Sequence, residues 1–439
     1  MRLPHHAACA LLVLLLSACP DSESPTGPGG SDAGARVDGG GGGGTTDPDG
    51  GRPRIVWPEA THVVEGAHEA GLVLSPSGIV TLAYKKEQKV WTHRDPPTGA
   101  PVALGDALSS GTELRIFASP TEDRAFVAWT GRYGVSLTAG VPDSERLTLY
   151  YGEGELYTLG GGWFGGMPAL IARSGEVHYS DGTQIPGRHL AFTVPIDATD
   201  ELPLPEPREE NALATVGNSF HHYDESETLV DLGDGTALMF DRWTEKPPGD
   251  DTERDHARWR ILRRSVLATG SRAHYLLART GTFALPDSPA AWIRAFSLGG
   301  GKYALAWGST PDTLVFDVFL AGFELNEAGE PFLTTGSQNI SMTTGATDNS
   351  DFPLVAPVGD GRFWLAWREV AFGPRVALMS ADFKILAIGA PNDELGCDLS
   401  GAMGAAADSE GTLHLVAGFS EDDGEYGRPY VRYFRIALP

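Results

Sequence analysis

Three short segments carry residue types able to hold a metal ion or move a proton. Asp231 and Asp234 in "DLGDG", and Glu421, Asp422, Asp423 and Glu425 in "SEDDGE", have the oxygen-rich, glycine-turned character of calcium loops. Neither follows a full Asp-x-Asp-x-Asp-Gly pattern, and hairpin turns use the same residues. Each is therefore read first as a turn and only second as a calcium site. In His221-His222-Tyr223-Asp224-Glu225 the adjacent histidines would point to opposite faces of a strand, so a solvated loop is the better reading. The stretch from Glu245 to Asp255 reads as an exposed insertion between strands. No cofactor is expected, with calcium as the one candidate.

Catalytic motifs are missing from the sequence. There is no Gly-x-Ser-x-Gly elbow, no His-Glu-x-x-His pair and no phosphate-binding glycine loop. The six glycines from Gly39 to Gly44 have no apolar strand before them and no helical pattern after them. Two carboxylates working on a glycosidic bond come from distant positions, so spacing gives no test among 58 acidic residues. Binding without catalysis is the leading expectation. A hydrolase or lyase acting on extracellular carbohydrate is the alternative, and a calcium-stabilised spacer is a third.

The three cysteines divide by position. Cys9 lies in an apolar run from Ala7 to Leu16, and Cys19 closes Leu16-Ser17-Ala18-Cys19. Cys397 stands alone in the rest of the chain, so no disulfide within the domain is expected, and it reads as a small buried residue. Met1-Arg2, the apolar run and the small residues before Cys19 form the secretory pattern. The run is too short to span a bilayer, which needs roughly 20 apolar residues.

The four residues ending at Cys19 resemble the lipobox of bacterial lipoproteins. The resemblance implies a signal peptide over 1–18, cleavage after Ala18, and acylation of the Cys19 thiol and of the new amino terminus. Two or more acyl chains hold stably where one is marginal. In that family an aspartate directly after the cysteine retains the protein at the inner membrane. Here that position is Pro20, with Asp21 one place later, so the outer membrane is the expected address.

From residue 19 to 53 the chain is mostly Gly, Ser, Asp, Thr and Pro, with Val37 its one sizeable aliphatic. Such a segment buries too little apolar surface to offset its ordering entropy. It is expected to act as a tether whose root-mean-square span is roughly 30–35 Å.

The remaining residues, 54–439, form the domain. The net charge of −25 becomes −26 once Arg2 leaves with the signal peptide. Phosphates repel such a surface, so nucleic acid is not an expected partner. The expected partners are the lipid anchor's membrane and an envelope protein or glycan, with the chain a monomer.

An internal repeat organises the domain. A polar turn is followed by a short apolar strand that often ends Ala-Trp, then by a second short strand. Clear copies are "PVGDGRFWLAW" ending at Trp367, "SLGGGKYALAW" ending at Trp307 and "ASPTEDRAFVAW" ending at Trp129. Looser ones end at Tyr84, Phe240 and Gly418, and "GGMPALIA" ending at Ala172 is the weakest. The turn residues are Gly78, Asp123, Gly166, Gly235, Gly301, Gly361 and Gly411, spaced by 45, 43, 69, 66, 60 and 50 residues. Candidate third strands follow as "KVWTH", "GVSLT", "EVHYS", "ARWRILRR", "TLVFDVF", "PRVALMS" and "YVRYFRIAL".

Seven such units predict an all-β fold, a β-propeller of seven four-stranded blades, with six or eight less favoured and a pair of β-sandwiches as the alternative. The last unit runs out after three strands, and "RIVW" from Arg54 to Trp57 is expected to complete it and close the ring. Trp129, Trp307 and Trp367 are expected to pack between neighbouring sheets rather than to stack on a sugar. The repeat loosely resembles propeller repeats of bacterial envelope proteins. It lacks the WD dipeptide, the kelch double glycine and full sialidase-type boxes.

Overall fold

The polar turns of the repeat become tight hairpins in the computed structural model. Six of the seven predicted turn residues, Gly78, Gly166, Gly235, Gly301, Gly361 and Gly411, have φ between +78° and +84°. Glycine enters that left-handed region at little cost, whereas a Cβ there meets steric resistance. The structure describes residues 53–107, 114–131, 134–138, 147–151, 156–174, 177–178, 184–185, 188–194, 202–204, 212–215, 227–245, 254–264, 274–283, 289–309, 316–341, 350–369, 373–390, 403–421 and 428–439. Among them every regular element is a β-strand.

Seven antiparallel meanders follow one another along the chain. Their opening strands are Ala67–Leu74, Leu114–Ala118, Leu156–Phe164, Glu227–Asp231, Pro289–Gly299, Ser350–Gly359 and Met403–Ala407. Each copy of the repeat forms the second strand of its meander: Val80–Lys86, Ala125–Gly131, Met167–Ser174, Thr236–Glu245, Lys302–Ser309, Arg362–Glu369 and Leu413–Glu421. Where their side chains are described, these second strands are buried on both faces. That explains why the sequence there reads as near-continuous apolar runs rather than strict alternation.

The apolar side chains collect in clusters between consecutive sheets. Trp129 and Leu114 meet Ala83 and Val90 between the first and second. Phe117 and Phe126 meet Leu170 and Phe192 between the second and third. Four further clusters join the third sheet to the fourth, the fourth to the fifth, the fifth to the sixth and the sixth to the seventh. In a seventh cluster Val416, Val431 and Tyr433 of the last sheet pack on Leu72, Leu82 and Tyr84 of the first. Opening strands lie beside opening strands in the same order, and Ala67–Leu74 contacts Met403–Ala407.

Three departures from the sequence expectation have physical causes. The strand that completes the last sheet is His62–Glu65, paired antiparallel with Arg428–Ile436, and not Arg54–Trp57. Pro53 and Pro58 bracket the latter, and proline has no N–H to offer a ladder. Arg54 instead forms an isolated bridge to Ile388 of the sixth sheet, where Ile55 N donates to Ile388 O at 3.0 Å. Ile55 fills the space that Gly389 leaves, since a Cβ on Gly389 would stand 2.7 Å from the Ile55 Cβ.

The third and fourth meanders share one eight-stranded sheet. Gly160 and Gly161 pair in parallel with Glu227 and Thr228, and Phe192 and Thr193 pair with Tyr275 and His274. Glycine permits the first contact: a Cβ on Gly162 would lie 3.0 Å from the Leu229 carbonyl.

The third strand of the third meander is Arg188–Thr193, whose Leu190 and Phe192 are buried. "EVHYS" contributes only Val177–His178, to a two-stranded ribbon with Gln184–Ile185. An apolar alternation won over a polar one.

Candidate functional site

The opening strands of the fifth and sixth sheets share an irregularity. Their registers shift between Ala291 and Arg294 and between Asp351 and Leu354. Within each shift an aromatic residue takes a left-handed backbone, Trp292 at φ 52° and Phe352 at φ 52°. Bulky residues rarely adopt that conformation, and it persists only where the surroundings impose it. Here Trp292 packs on Phe352 at 4.7 Å between ring centroids and on Phe316 at 5.2 Å. The guanidinium of Arg368 lies 4.8 Å over the Phe352 ring.

Arg368 is itself held by Asp351, its Nε donating to Oδ1 at 2.7 Å and its Nη2 to Oδ2. Burial raises the Asp351 carboxyl, and Arg368 works against that rise. Next to this pair, Arg375 Nε donates to Glu369 Oε2 at 2.6 Å. The carboxylates under the bulges are thus already engaged by arginines.

Arg294 differs. Its Nε is buried without a hydrogen-bond partner among the described residues. Burial pushes the guanidinium down to about 9, and the charge that acts on it is another cation, Arg115. The backbone beside it is clamped from the fourth sheet. Thr228 Oγ1 accepts from Ala295 N at 2.8 Å and donates to Ala295 O at 3.0 Å. Arg115 sits on the opening strand of the second sheet, with Nη1 donating to the Leu114 carbonyl at 3.0 Å.

The two arginines occupy matching positions, Leu114-Arg115-Ile116-Phe117 and Ile293-Arg294-Ala295-Phe296. In both strands the residues flanking the arginine pack toward the preceding sheet, and the phenylalanine two places on packs toward the next. Strand alternation puts each arginine on the phenylalanine's side. A buried N–H with no acceptor is costly, and Arg294 Nε has none among the described residues.

Of the residues read from sequence, Asp231 and Asp234 sit in the turn between Glu227–Asp231 and Thr236–Glu245. Asp231 Oδ1 accepts from Gly233 N at 2.9 Å, and Asp234 Oδ1 accepts from both the N–H and the hydroxyl of Thr236. The Thr236 hydroxyl bond is the main cause holding the Asp234 carboxyl below its usual range. Glu421 ends the strand Leu413–Glu421. Cys19, Cys397, His221 to Glu225, and Asp422, Asp423 and Glu425 lie outside the described residues. No group of three or more His, Cys, Asp or Glu side chains able to hold a metal occurs among the described residues.

The arginine pair escaped the sequence reading. Its signal was present as an arginine inside an otherwise apolar strand, twice, two residues before a phenylalanine. Opening strands were not the part of the repeat that stood out.

The structure defines the class of protein as an all-β chain of successive antiparallel β-meanders, two of which share one sheet. No protein-family model and no curated protein matches it. Solved structures similar to it include a protein of unknown function from Dyadobacter fermentans DSM 18053, with a TM-score of 0.47 and 11% identity, over 88% of this chain and 98% of that one. A catalytically inactive virginiamycin B lyase from Staphylococcus aureus, solved with quinupristin, has a TM-score of 0.41 and 11% identity, over 86% and 99%. Drosophila Plexin A in complex with Semaphorin 1b has 0.45 and 7%, over 88% of each chain. Likeness at these scores says nothing of what this chain binds.

Proposed function

We propose that this chain is a lipid-anchored protein of the bacterial envelope whose residues 54–439 form a seven-bladed β-propeller that binds a protein or glycan without transforming it. Anchoring rests on Leu16-Ser17-Ala18-Cys19, and delivery to the outer membrane rests on Pro20. The propeller reading is supported by the order of the core clusters, in which the last sheet packs on the first. It is supported too by second strands buried on both faces, since the sheets of a sandwich pair each leave one face to solvent.

Arg294 carries the binding role. Its Nε is buried with no hydrogen-bond partner among the described residues, and a ligand's acceptor would relieve that cost.

Two measurements test the reading. Full-length chain is extracted in mild detergent, immobilised and exposed to envelope extract and to a glycan array. Reproducible retention of a protein or glycan is the expected result. Retention of nothing, together with turnover of a polysaccharide, would replace binding by hydrolase or lyase chemistry. Replacing Cys19 by Ser should move the protein from membrane to soluble fractions and remove the acyl mass. An unchanged distribution would remove the anchor from the proposal.

A further inference from the structure

We infer that His62 and His93 make the closing strand an acid-released clasp: neutral, they seat His62–Glu65 between the last sheet and the first; protonated, they repel one another and free it. This goes beyond the binding reading above and does not depend on it.

The fold brings the two histidines together from opposite sides of one seam. His62 opens the closing strand and pairs with Tyr433 of the last sheet. His93 lies on the third strand of the first sheet, Lys89–Arg94. Val64 and Trp91, each the next residue but one along its strand, pack in the cluster that joins the last sheet to the first. Strand alternation therefore turns both imidazoles into that seam, where their rings meet edge to face at 4.7 Å between centroids.

Three observations make the contact a neutral one. His93 Nε2 lies 2.6 Å from the Gly99 carbonyl, which only accepts, so Nε2 carries the ring proton. That carbonyl is held by its turn, because Gly99 N donates to Asp95 O at 3.1 Å. The other nitrogen, His93 Nδ1, is buried with no hydrogen-bond partner among the described residues. A proton there would create a buried N–H without an acceptor and a charge against His62. Finally, burial lowers the His62 pKa, and His93 lowers it further.

The groups around the pair do not offset this. From the last sheet come Tyr433, its partner His414, and Asp408 beyond. From the first come Tyr84, in the same cluster, and Asp95 in the turn that follows His93. Asp95 and Asp408 act on the Tyr433 phenol, and Arg435 acts on both Tyr433 and His414. Among the described residues, the one charge acting on His62 is that of His93. Glu59, before the closing strand, and Glu65, at its end, are exposed. The docked strand thus takes up a proton less readily than the released one. Seating by neutral His62 is present above the released value of about 6.5 and is lost as pH falls below it. Release uncovers the edge of Arg428–Ile436.

Amide exchange of the full chain in mild detergent tests the clasp at about pH 7.5 and 5.5, each rate divided by its intrinsic value at that pH. Expected on acidification is a loss of protection along Tyr430 to Tyr433 that exceeds the loss in Phe319 to Phe323 by about three-fold or more. His62→Phe keeps a ring against His93 but does not titrate, and it should remove most of that excess. His93→Gln, whose amide can still donate to the Gly99 carbonyl, should do the same. His414→Gln should leave the excess in place, which separates the clasp from the neighbouring Asp408–His414–Tyr433 chain.

An excess that survives both His62→Phe and His93→Gln would overturn the inference, as would one that disappears only in His414→Gln. Equal loss in both strands of the parent would also overturn it. Should His62→Phe fail to protect Tyr430 to Tyr433 at neutral pH, His93→Gln alone decides the matter.

Discussion

The indole of Trp364, in the sixth sheet, donates a hydrogen bond of 2.9 Å to the carbonyl of Gly411 in the first hairpin of the seventh. Trp129 does the same between sheets, its Nε1 reaching the Asp106 carbonyl at 3.0 Å. Trp307 and Trp367 are equally buried, yet their indole N–H groups meet no acceptor among the described residues. Four tryptophans in one repeat thus separate into two kinds. Trp364→Phe and Trp129→Phe leave a carbonyl without its donor and should cost about 1–3 kcal/mol more than Trp307→Phe and Trp367→Phe, which discard a donor that was already unsatisfied. Urea unfolding of the four variants checks it, and equal losses across all four would contradict the distinction.

Much of this was legible. The seven second strands were readable because both faces of each are covered, which writes burial into consecutive residues. Trp129, Trp307 and Trp367 lie buried between sheets, with Ala128, Ala306 and Ala366 buried beside them. What failed to show were features created by pairing between distant segments. His62–Glu65 has nothing to mark it as a closing strand apart from its partner, and Arg54–Trp57 looked more strand-like until Pro53 and Pro58 were counted. The unpartnered Arg294 Nε is of that second kind, since Arg294 resembles an ordinary strand residue and only the packing of distant segments leaves it without an acceptor among the described residues.

Two glycines in strands serve as seats for aromatic rings. A Cβ on Gly281 would lie 2.3 Å from Trp259 Cζ2, and one on Gly322 would lie 2.6 Å from Phe383 Cε2. Both rings belong to buried residues of the core. Gly281→Ala and Gly322→Ala should therefore each lower stability by about 1–3 kcal/mol through overpacking. Gly300 is the contrast, with φ 62° and open space within 4 Å of where a Cβ would stand. Gly300→Asn should change stability by less than about 1 kcal/mol, since asparagine tolerates the left-handed region. Calorimetry of the three variants tests this, and a loss at Gly300→Asn matching the other two would put backbone strain above packing.

His414 lies between Tyr433 and Asp408, with Nδ1 2.6 Å from the phenol oxygen and Nε2 3.1 Å from Asp408 Oδ2. A carboxylate only accepts, so Nε2 carries the proton and Nδ1 receives the phenol's. Burial lowers the His414 pKa, and Asp408 only partly offsets this. The folded protein therefore takes up the imidazole proton less readily than the unfolded chain. Stability contributed by neutral His414 is present above the unfolded value of about 6.5 and is lost as pH falls below it. Burial raises the Asp408 carboxyl, but the bonds from His414, Thr412 and Glu410 outweigh it and leave the carboxyl low, which adds a second loss at more acid pH. Burial holds the Tyr433 phenol up to about 12, so stability also falls above pH 10, where the unfolded chain ionises first. In His414→Gln the slope of Tm against pH between 6.5 and 5 should flatten; an unchanged slope would place the acid sensitivity elsewhere.

Closure of the last sheet depends on one face of a four-residue strand. Val64 is buried among Val416, Val431 and Tyr433, whereas its neighbour Val63 is 46% exposed. Successive strand residues point to opposite faces, so the pair provides its own control. Val64→Asp places a carboxylate in the cluster that joins the last sheet to the first, and should cost about 3 kcal/mol or more. Val63→Asp alters the same strand's charge on the open face and should cost less than about 0.5 kcal/mol. If His62–Glu65 is the clasp, Val64→Asp will also uncover the edge of Arg428–Ile436, and amide exchange along Tyr430 to Tyr433, which it pairs, will quicken while exchange in Phe319 to Phe323 of the fifth sheet does not. Uniform quickening across both strands would mean that the domain unfolds as a whole before the clasp opens, and that His62–Glu65 stabilises the fold without closing it.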